Sequence, residues 1–278
     1  MKLGFHGATS MPADLQTDVA ATAHAGFTSL ELWAAKVDRF LVDHSVTDLK
    51  VLLQEHGVAP MTFNAIEFIA FCGDKFGHIK DRCRQLCEIA QAIGCPSVAV
   101  IPSPTPGWQT TWETIVAEHV TALQALSDIA GDYGIKLALE FLGFGWCSVR
   151  TPRGAQEIIQ KTGRANVGLV VDAAHFYIGG GLLSEIDHLD PRSIYTFHLD
   201  DVEDTSKEAY TDANRLLPGL GIVPLAEICG RLKKIGYNGP CSIELFRPEY
   251  WEWNPMQLAV KAKEAAIKML SPYFELEA

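Results

Sequence analysis

The sequence predicts an α/β fold, a single (β/α)8 TIM barrel domain that spans residues 1–278. Eight short apolar or β-branched runs alternate with amphipathic segments along the chain, which is typical of a parallel sheet with crossover helices. The length of 278 residues suits one closed barrel of about 250 residues. An open doubly wound sheet is the alternative, but no GxGxxG motif follows the first run.

The predicted strands are short runs rich in Val, Ile, Leu and Phe that stop at a polar residue or a turn. In chain order they cover residues 2–8, 29–34, 59–65, 96–102, 135–143, 167–176, 193–201 and 240–246. Because parallel strands need crossover connections, a helix is expected after each of them.

The segments between the strands show the spacing of amphipathic helices. The segment 114–132 carries one apolar face, made of Val116, Val120, Leu123, Leu126 and Ile129. The segment 224–235 follows the same pattern. Glycines at positions 26, 57, 94, 134 and 236 stand where helices are expected to end in a left-handed residue. The sixth connection, YIGGGLLSEI, predicts only a short helix.

Composition narrows the classes of function. The net charge is −11 and no basic block is present, which argues against DNA, RNA or an anionic membrane as partner, because binding to phosphate depends on clustered Lys and Arg. No run approaches the roughly 20 apolar residues of a membrane helix, and MKLGFHGATS does not resemble a signal peptide. Seven cysteines without a CxxC pair indicate free thiols in a reducing cytoplasm.

Four strands of the second half end in a residue able to bind a metal ion. Glu140 closes KLALE, Asp172 closes GLVVD, His198 closes IYTFH and Glu244 closes CSIE. Because successive side chains of a strand alternate between its two faces, all four side chains are expected to point toward the barrel mouth. TIM barrels have their active sites there. A lone buried carboxylate would be costly. We therefore predict a site for one divalent cation, either Mn²⁺, Mg²⁺, Co²⁺ or Zn²⁺.

Each of these residues also has a simpler interpretation when it is taken alone. Asp172 precedes AAHFYI and could cap a helix, and a single buried histidine is more often structural than a ligand. The convergence of four such residues at one level favours the metal site. Asp200 lies two residues beyond His198, so alternation predicts that it orients the imidazole.

The chain resembles the xylose isomerase-like barrel family of sugar isomerases and epimerases. The resemblance rests on LALEF, VVDAAH, FHLDD and SIELF, and on NRLLPGLG at residues 214–221. It implies that Glu140, Asp172, His198 and Glu244 bind one divalent metal. It also implies that His175 and Arg215 contact the substrate. Within the family, the segments from residue 195 to 225 and SIELFRPEYW resemble the inosose isomerase branch of inositol catabolism.

The resemblance implies an isomerase that moves the keto group of an inosose through an enediolate. We expect Glu140 and Glu244 to carry the proton, in an order that the residues leave open. Alternatives on the same ligands are a ketose 3-epimerase, a hydroxypyruvate isomerase and a 3-dehydroshikimate-type dehydratase. A non-catalytic polyol-binding protein is a further alternative. For Arg215, a surface ion pair with Asp212 is the simpler interpretation.

Other polar and aromatic residues near strand ends are expected to complete a pocket for a polyol or keto-sugar. Glu31 and Asn64 are predicted contacts of substrate hydroxyl groups. Aromatic walls are expected from Trp33, Phe68, Trp146, Phe246 and Trp251. The aromatic stretch EYWEW at 249–253 is compatible with either a pocket lid or the interface of a homo-oligomer.

Overall fold

The computed structural model describes residues 1–277, and its core is a closed barrel of eight parallel strands. All eight predicted strands are present, but some end earlier than predicted, since residues 173–176 begin a helix and the seventh run leaves the barrel after His198. The barrel strands are β1 Leu3–His6, β2 Ser29–Trp33, β3 Ala59–Ile66, β4 Ser97–Val100, β5 Lys136–Glu140, β6 Val167–Asp172, β7 Ile194–His198 and β10 Cys241–Ile243; two short strands, β8 Asp201–Val202 and β9 Arg215–Leu216, lie outside the barrel. The order around the barrel is β1-β10-β7-β6-β5-β4-β3-β2, so the first and last strands close the ring.

Helices surround the barrel. They are α1 Leu15–His24, α2 Ala34–Phe40, α3 Val46–Glu55, α4 Phe76–Ile93, α5 Trp112–Asp132, α6 Pro152–Thr162, α7 Ala173–Ile178, α8 Leu183–Ile186, α9 Leu225–Lys234, α10 Pro248–Trp251 and α11 Pro255–Leu270. The two helices predicted at 114–132 and 224–235 correspond to α5 and α9. The sixth connection is indeed short, since it holds only α7 and α8. Of the 277 described residues, none belongs to a helix suited by length and apolarity to cross a membrane.

Local sequence signals explain where the helices begin and end. The Thr111 side chain accepts the N–H of Thr114 at the start of α5, and Ser45 and Asp48 form a capping box at the start of α3. All five glycines predicted as caps have positive φ, among them Gly94 at 82° after α4, a conformation that costs glycine little.

The barrel interior is built in layers. Ala99, Ala138 and Val170 form a cluster of small buried side chains inside the barrel, and hydroxyl groups of Thr62 and Thr196 meet at 3.1 Å. The next inward position after Ala138 on β5 is Glu140, because side chains alternate along a strand. The acidic residues therefore lie directly above a layer of small side chains.

A two-stranded ribbon follows β7 and carries a long loop. Its strands, β8 (Asp201–Val202) and β9 (Arg215–Leu216), are antiparallel. The Asp201 carboxylate is buried and accepts the backbone N–H groups of Gly219, Gly221 and Val223 at 2.8–3.0 Å. This one side chain, which precedes the loop, thus binds the backbone that follows Arg215.

Candidate metal centre at the carboxyl ends of the strands

The four residues predicted to bind a metal lie together at the barrel mouth. Glu140, Asp172 and His198 are the last residues of β5, β6 and β7, and Glu244 directly follows β10. Asp172 and His198 are register partners on neighbouring strands. At most 2% of each residue is exposed. The strand ends thus bring three carboxylates and one imidazole to one buried point.

The distances in this cluster fit a divalent cation. His198 Nδ1 lies 3.0 Å from Glu140 Oε1, 3.3 Å from Glu244 Oε2 and 3.5 Å from Asp172 Oδ2. One candidate ligand atom from each residue lies within 4.8 Å of all the others. Neighbouring ligands around a four-coordinate ion with bonds of about 2.0–2.2 Å are about 3.3–3.6 Å apart. The donor set therefore has both the spacing and the oxygen and nitrogen chemistry that such an ion needs.

The cluster carries more negative charge than its protein partners balance. Burial raises the pKa of Glu140. Burial also opposes ionisation of Glu244, but His198, His6 and Arg215 outweigh it and lower the pKa of that carboxyl group. The surrounding carboxylates, Glu244 first, overcome burial and raise the pKa of His198 well above its ordinary value. A cation bound among these groups would relieve the repulsion between the carboxylates.

Glu31, predicted to contact substrate hydroxyl groups, lies behind His198 instead of in the open pocket. Its Oε2 is 3.1 Å from His198 Nε2, and the residue is fully buried. An imidazole that donates Nε2–H to a carboxylate keeps Nδ1 free as a ligand and holds the ring in place. The prediction that Asp200 orients this imidazole is wrong. Asp200 accepts the N–H of Ala174 and pairs with Arg215.

Arg215 is buried in the site, so its interpretation as a surface ion pair is wrong. Only 1% of it is exposed. Its Nη1 donates to Asp172 Oδ2 at 2.7 Å and lies 3.1 Å from Glu244 Oε2. Nη1 also pairs with Asp200, and Nε donates to Asp212 at 3.1 Å. The guanidinium therefore fixes the carboxylates on β6 and after β10 at the same oxygen atoms that face His198.

His175 lies beside Arg215, one turn into α7. Arg215 Nη2 donates to His175 Nε2 at 3.0 Å. Since guanidinium groups only donate, Nε2 is the acceptor and the neutral ring carries its proton on Nδ1. Nδ1 is buried without a partner among the described residues, and burial lowers the pKa of His175. His175 thus has a buried N–H donor without a hydrogen-bond partner among the described residues.

A cavity of about 250 Å³ opens onto the cluster. Trp33, Asn64, Phe68, Trp146 and Phe246 line it as predicted, together with Glu67, Ile101, Glu140, Leu142, Phe144, His175, Asp212, Arg215 and Glu244. The prediction that Trp251 forms part of the wall is wrong: it is not in this lining, and its indole N–H donates to the carbonyl of Ala8 at 3.2 Å. Phe144 is a wall residue that the sequence analysis missed, although it stands two residues before Trp146. It stacks on Trp146 with ring centroids 5.3 Å apart.

A second, larger groove of about 670 Å³ runs along the amino-terminal ends of β6 and β7, beside Val167 and Tyr195. It contains no member of the acidic cluster. TIM barrels carry their chemistry at the opposite, carboxyl-terminal face. The cavity of about 250 Å³ is therefore the candidate active site.

Comparison with known proteins supports the same assignment of fold. Residues 19–270 match the family described as xylose isomerase-like TIM barrel. The chain is 34% identical to an inosose isomerase of Halalkalibacterium halodurans over 281 residues, covering 100% of this chain and 99% of that protein. It is also 34% identical to an inosose isomerase of Bacillus subtilis over 280 residues, covering 99% and 100%.

A solved structure agrees over the whole chain. The crystal structure of the IOLI protein with a bound zinc atom superposes with a TM-score of 0.95 at 34% identity, covering 99% of this chain and 100% of that one. A zinc ion in that structure is consistent with one divalent cation at the buried cluster here. The full-length identity, the matched profile and the closed barrel together show that the chain belongs to the xylose isomerase-like TIM barrel family.

Proposed function

We propose that this protein is a metal-dependent isomerase that converts 2-keto-myo-inositol to 1-keto-D-chiro-inositol. The observation that carries the proposal is the buried cluster of three carboxylates and one imidazole beside a cavity of about 250 Å³. The full-length relatives named inosose isomerase support the substrate. Moving a keto group to the next carbon requires removal of a proton beside the carbonyl and its return to the neighbouring carbon.

Glu140, Asp172, His198 and Glu244 would hold the cation. A bound divalent cation would polarise the substrate carbonyl and so acidify the C–H bond on the neighbouring carbon. The protein itself would hold three of the four ligands before substrate arrives, His198 through Glu31, and Asp172 and Glu244 through Arg215. Such preorganisation avoids the cost of rearranging charges during the reaction.

Glu140 and Glu244 would move the proton. Both carboxylates line the cavity, and they come from strands on different sides of β6 and β7 in the ring. Each has one oxygen near His198 Nδ1, at 3.0 and 3.3 Å, which leaves a second oxygen for the substrate. One carboxylate would take the proton and one would return it, as general base and general acid.

His175 and Arg215 would stabilise negative charge on the substrate oxygens. The Nδ1–H of His175 has no partner among the described residues, and His175 lines the cavity. A neutral imidazole with a free N–H can donate to an oxygen that gains charge. Arg215 holds the other nitrogen of the ring, Nε2, at 3.0 Å, so the orientation of the imidazole is fixed before substrate binds.

The charges around the cavity favour an uncharged substrate. Among the described residues that line it, Arg215 is the only Lys or Arg side chain, and it is already paired with Asp172, Asp200 and Glu244. A carboxylate or phosphate group would need a free cationic partner. This argues for a neutral keto-polyol and against hydroxypyruvate or a dehydroshikimate-like acid.

Aromatic walls suit the apolar face of a polyol ring. Phe144 and Trp146 stack on one another, and Phe68 meets Trp146 edge-on at 6.2 Å. Such rings cover C–H bonds while the polar groups of the cluster meet oxygens. Asn64, whose amide lies 3.4 Å from Glu244 Oε1, would contact a substrate hydroxyl group, as the sequence predicts.

We also propose a reducing, cytoplasmic location. All seven cysteines are free, and six of them are buried. Cys83 and Cys87 approach to 3.9 Å without a bond between their sulfur atoms. Proteins with several unpaired thiols are typical of compartments that keep cysteines reduced.

Proton exchange followed by NMR tests the function. Protein stripped of metal and protein loaded with Zn²⁺ or Mg²⁺ are incubated in D₂O with 2-keto-myo-inositol. Parallel samples receive fructose, tagatose or hydroxypyruvate. We expect metal-dependent deuterium uptake beside the carbonyl of the inosose and a new keto-inositol. Exchange on a ketohexose alone would make the protein an epimerase. No exchange on any compound by the metal-loaded protein would reject the isomerase.

A further inference from the structure

The end of the first strand carries a histidine with no assigned role. His6 is the last residue of β1 and is fully buried. Its Nδ1 accepts the backbone N–H of Ala8 at 2.9 Å and so caps a single helical turn at Gly7–Ser10. A ring nitrogen that accepts a hydrogen bond carries no proton, so the neutral imidazole has its hydrogen on Nε2. The cap therefore decides which nitrogen of His6 is the donor.

The Nε2 atom of His6 faces the metal centre. It lies 3.1 Å from Glu244 Oε1 and 3.7 Å from Glu31 Oε1. Its N–H is not well aligned with either oxygen, and Glu31 Oε1 is likewise without a hydrogen bond among the described residues. A buried donor between two carboxylates is expected to bind one of them, because an unpaired buried polar group is costly.

The two oxygens of Glu244 have different surroundings. Oε2 faces His198 Nδ1 at 3.3 Å and Arg215 Nη1 at 3.1 Å. Oε1 faces His6 Nε2 at 3.1 Å and the Asn64 amide at 3.4 Å. Oε2 is thus the oxygen on the ligand side. Oε1 is the oxygen left for the substrate, and His6 is its nearest donor.

The turn after His6 also forms hydrogen bonds with the backbone around Glu244. Thr9 Oγ1 donates to the carbonyl of Ile243 at 2.8 Å and accepts the N–H of Leu245 at 2.9 Å. These are the residues on either side of Glu244. Lys36 Nζ in turn donates to the carbonyl groups of Gly7 and Ser10 at 2.8 and 2.9 Å. The side chain and backbone of Glu244 are therefore both held from β1 and its turn.

We propose that His6 is a positioning residue, whose Nε2–H holds Oε1 of Glu244 in the orientation needed for proton transfer. The inference rests on the proposed function of Glu244 in that transfer. The competing account is that His6 is only a structural cap for the turn at 7–10.

Two substitutions separate these roles. His6→Asn keeps an acceptor where Nδ1 lies, so it retains the cap, but its side chain is too short to reach Glu244. His6→Gln places an amide donor near the position of Nε2 but loses the acceptor for Ala8. We expect His6→Asn to lower kcat by about 10- to 100-fold, the usual cost of losing a group that orients a metal ligand. Its KM, its metal content and its Tm should stay near those of the wild type.

His6→Gln should show the opposite pattern. It should recover most of the kcat lost in His6→Asn, while its Tm falls by a few degrees because a cap is missing. Ser45→Ala is the matched control, since it removes the cap of α3 far from Glu244 and should lower Tm without lowering kcat. If kcat followed Tm in both His6 variants, His6 would be a structural cap and the proposal would be wrong.

A crystal structure of each metal-loaded His6 variant gives a readout that does not need substrate. In His6→Gln the introduced amide should lie within hydrogen-bond distance of Glu244 Oε1. In His6→Asn the Glu244 carboxylate should rotate about its last side-chain bond. An unchanged carboxylate in His6→Asn would overturn the positioning role. If wild-type protein showed no exchange with any ketose, the isomerase would fail, and these structures would still decide how His6 acts on Glu244.

Discussion

Strands from the two halves of the barrel end in polar residues that have different partners. In the second half, the side chains at the ends of β5, β6, β7 and β10 converge on one point. In the first half, the residues at or near the ends of β1, β2 and β3 contact those side chains from behind or from the side, namely His6, Glu31 and Asn64. In the metal site that we propose, one half of the barrel thus supplies the ligands, and the other half orients them.

The difference shows which part of a metal site is dictated by the chemistry of the ion. A divalent cation demands particular donor atoms at particular distances, so the second half has little freedom. The supporting groups need only donate or accept a hydrogen bond on the side of the ligand that faces away from the ion. Different residues can meet that need. The first half of the mouth is therefore where we expect related barrels to differ.

The largest effect should come from Glu140, which we propose as both a metal ligand and a carrier of the proton. Glu140→Gln removes a carboxylate that lines the cavity, and we expect kcat to fall by about 10²- to 10⁴-fold, the usual contribution of general acid–base catalysis. Turnover of 2-keto-myo-inositol and bound metal are measured on the same sample. A decrease of less than tenfold with metal fully bound would remove Glu140 from the proton transfer.

An intermediate effect is expected from the first half of the barrel. Glu31→Gln weakens the acceptor that faces His198 Nε2 at 3.1 Å, so metal affinity should fall by about 10- to 100-fold. Glu67→Gln is the matched control, because Glu67 lines the cavity but is exposed. Competition with a chelator measures both dissociation constants. Equal affinities in the two variants would mean that Glu31 does not support His198.

The smallest effect on catalysis should come from a buried polar group away from the cluster. His119 on α5 is buried, its Nδ1 lies 2.7 Å from the carbonyl of Ile115, and burial lowers its pKa to about 4. Between about pH 4 and 6.5 the unfolded chain binds a proton that the folded protein does not. The neutral His119 therefore makes its full contribution to the free energy of unfolding above pH 6.5, and this contribution is lost as the pH falls toward 4.

His119→Gln removes this pH dependence. Wild type should lose about 2 kcal/mol more unfolding free energy than the variant between pH 7 and pH 5. Urea denaturation at the two pH values measures the difference, and kcat at pH 7 should be unchanged. Parallel losses in both proteins would show that His119 is protonated in the folded state.

The sequence predicts the fold and the four clustered residues because both depend on patterns local to single strands. An acid or histidine at the end of an apolar run, such as Glu140 in KLALE, is visible without knowing its neighbours. The partner of Glu31 is not visible in this way, since His198 is 167 residues away and on a strand that is not its neighbour. Strand position alone could only suggest a substrate contact.

Asp200 shows where the alternation argument stops. The period of two applies while the chain stays in the sheet, but β7 ends at His198. Two residues later the backbone has turned, and the Asp200 side chain reaches Ala174 and Arg215. Phe144 was missed for a related reason. It lies in the irregular segment after β5, where no period relates a residue to a face.

Because of the contacts of the Asp201 carboxylate, the loop before Arg215 can change in length and sequence without moving Arg215. This carboxylate binds three backbone N–H groups on the far side of Arg215, and Val202 pairs with Arg215 itself, so the two ends of the loop are fixed to each other. The loop between them carries Tyr210 and Asp212 beside the cavity. We expect evolution, or a designed library, to change its length and sequence and thereby select new substrates, while Arg215 stays in place.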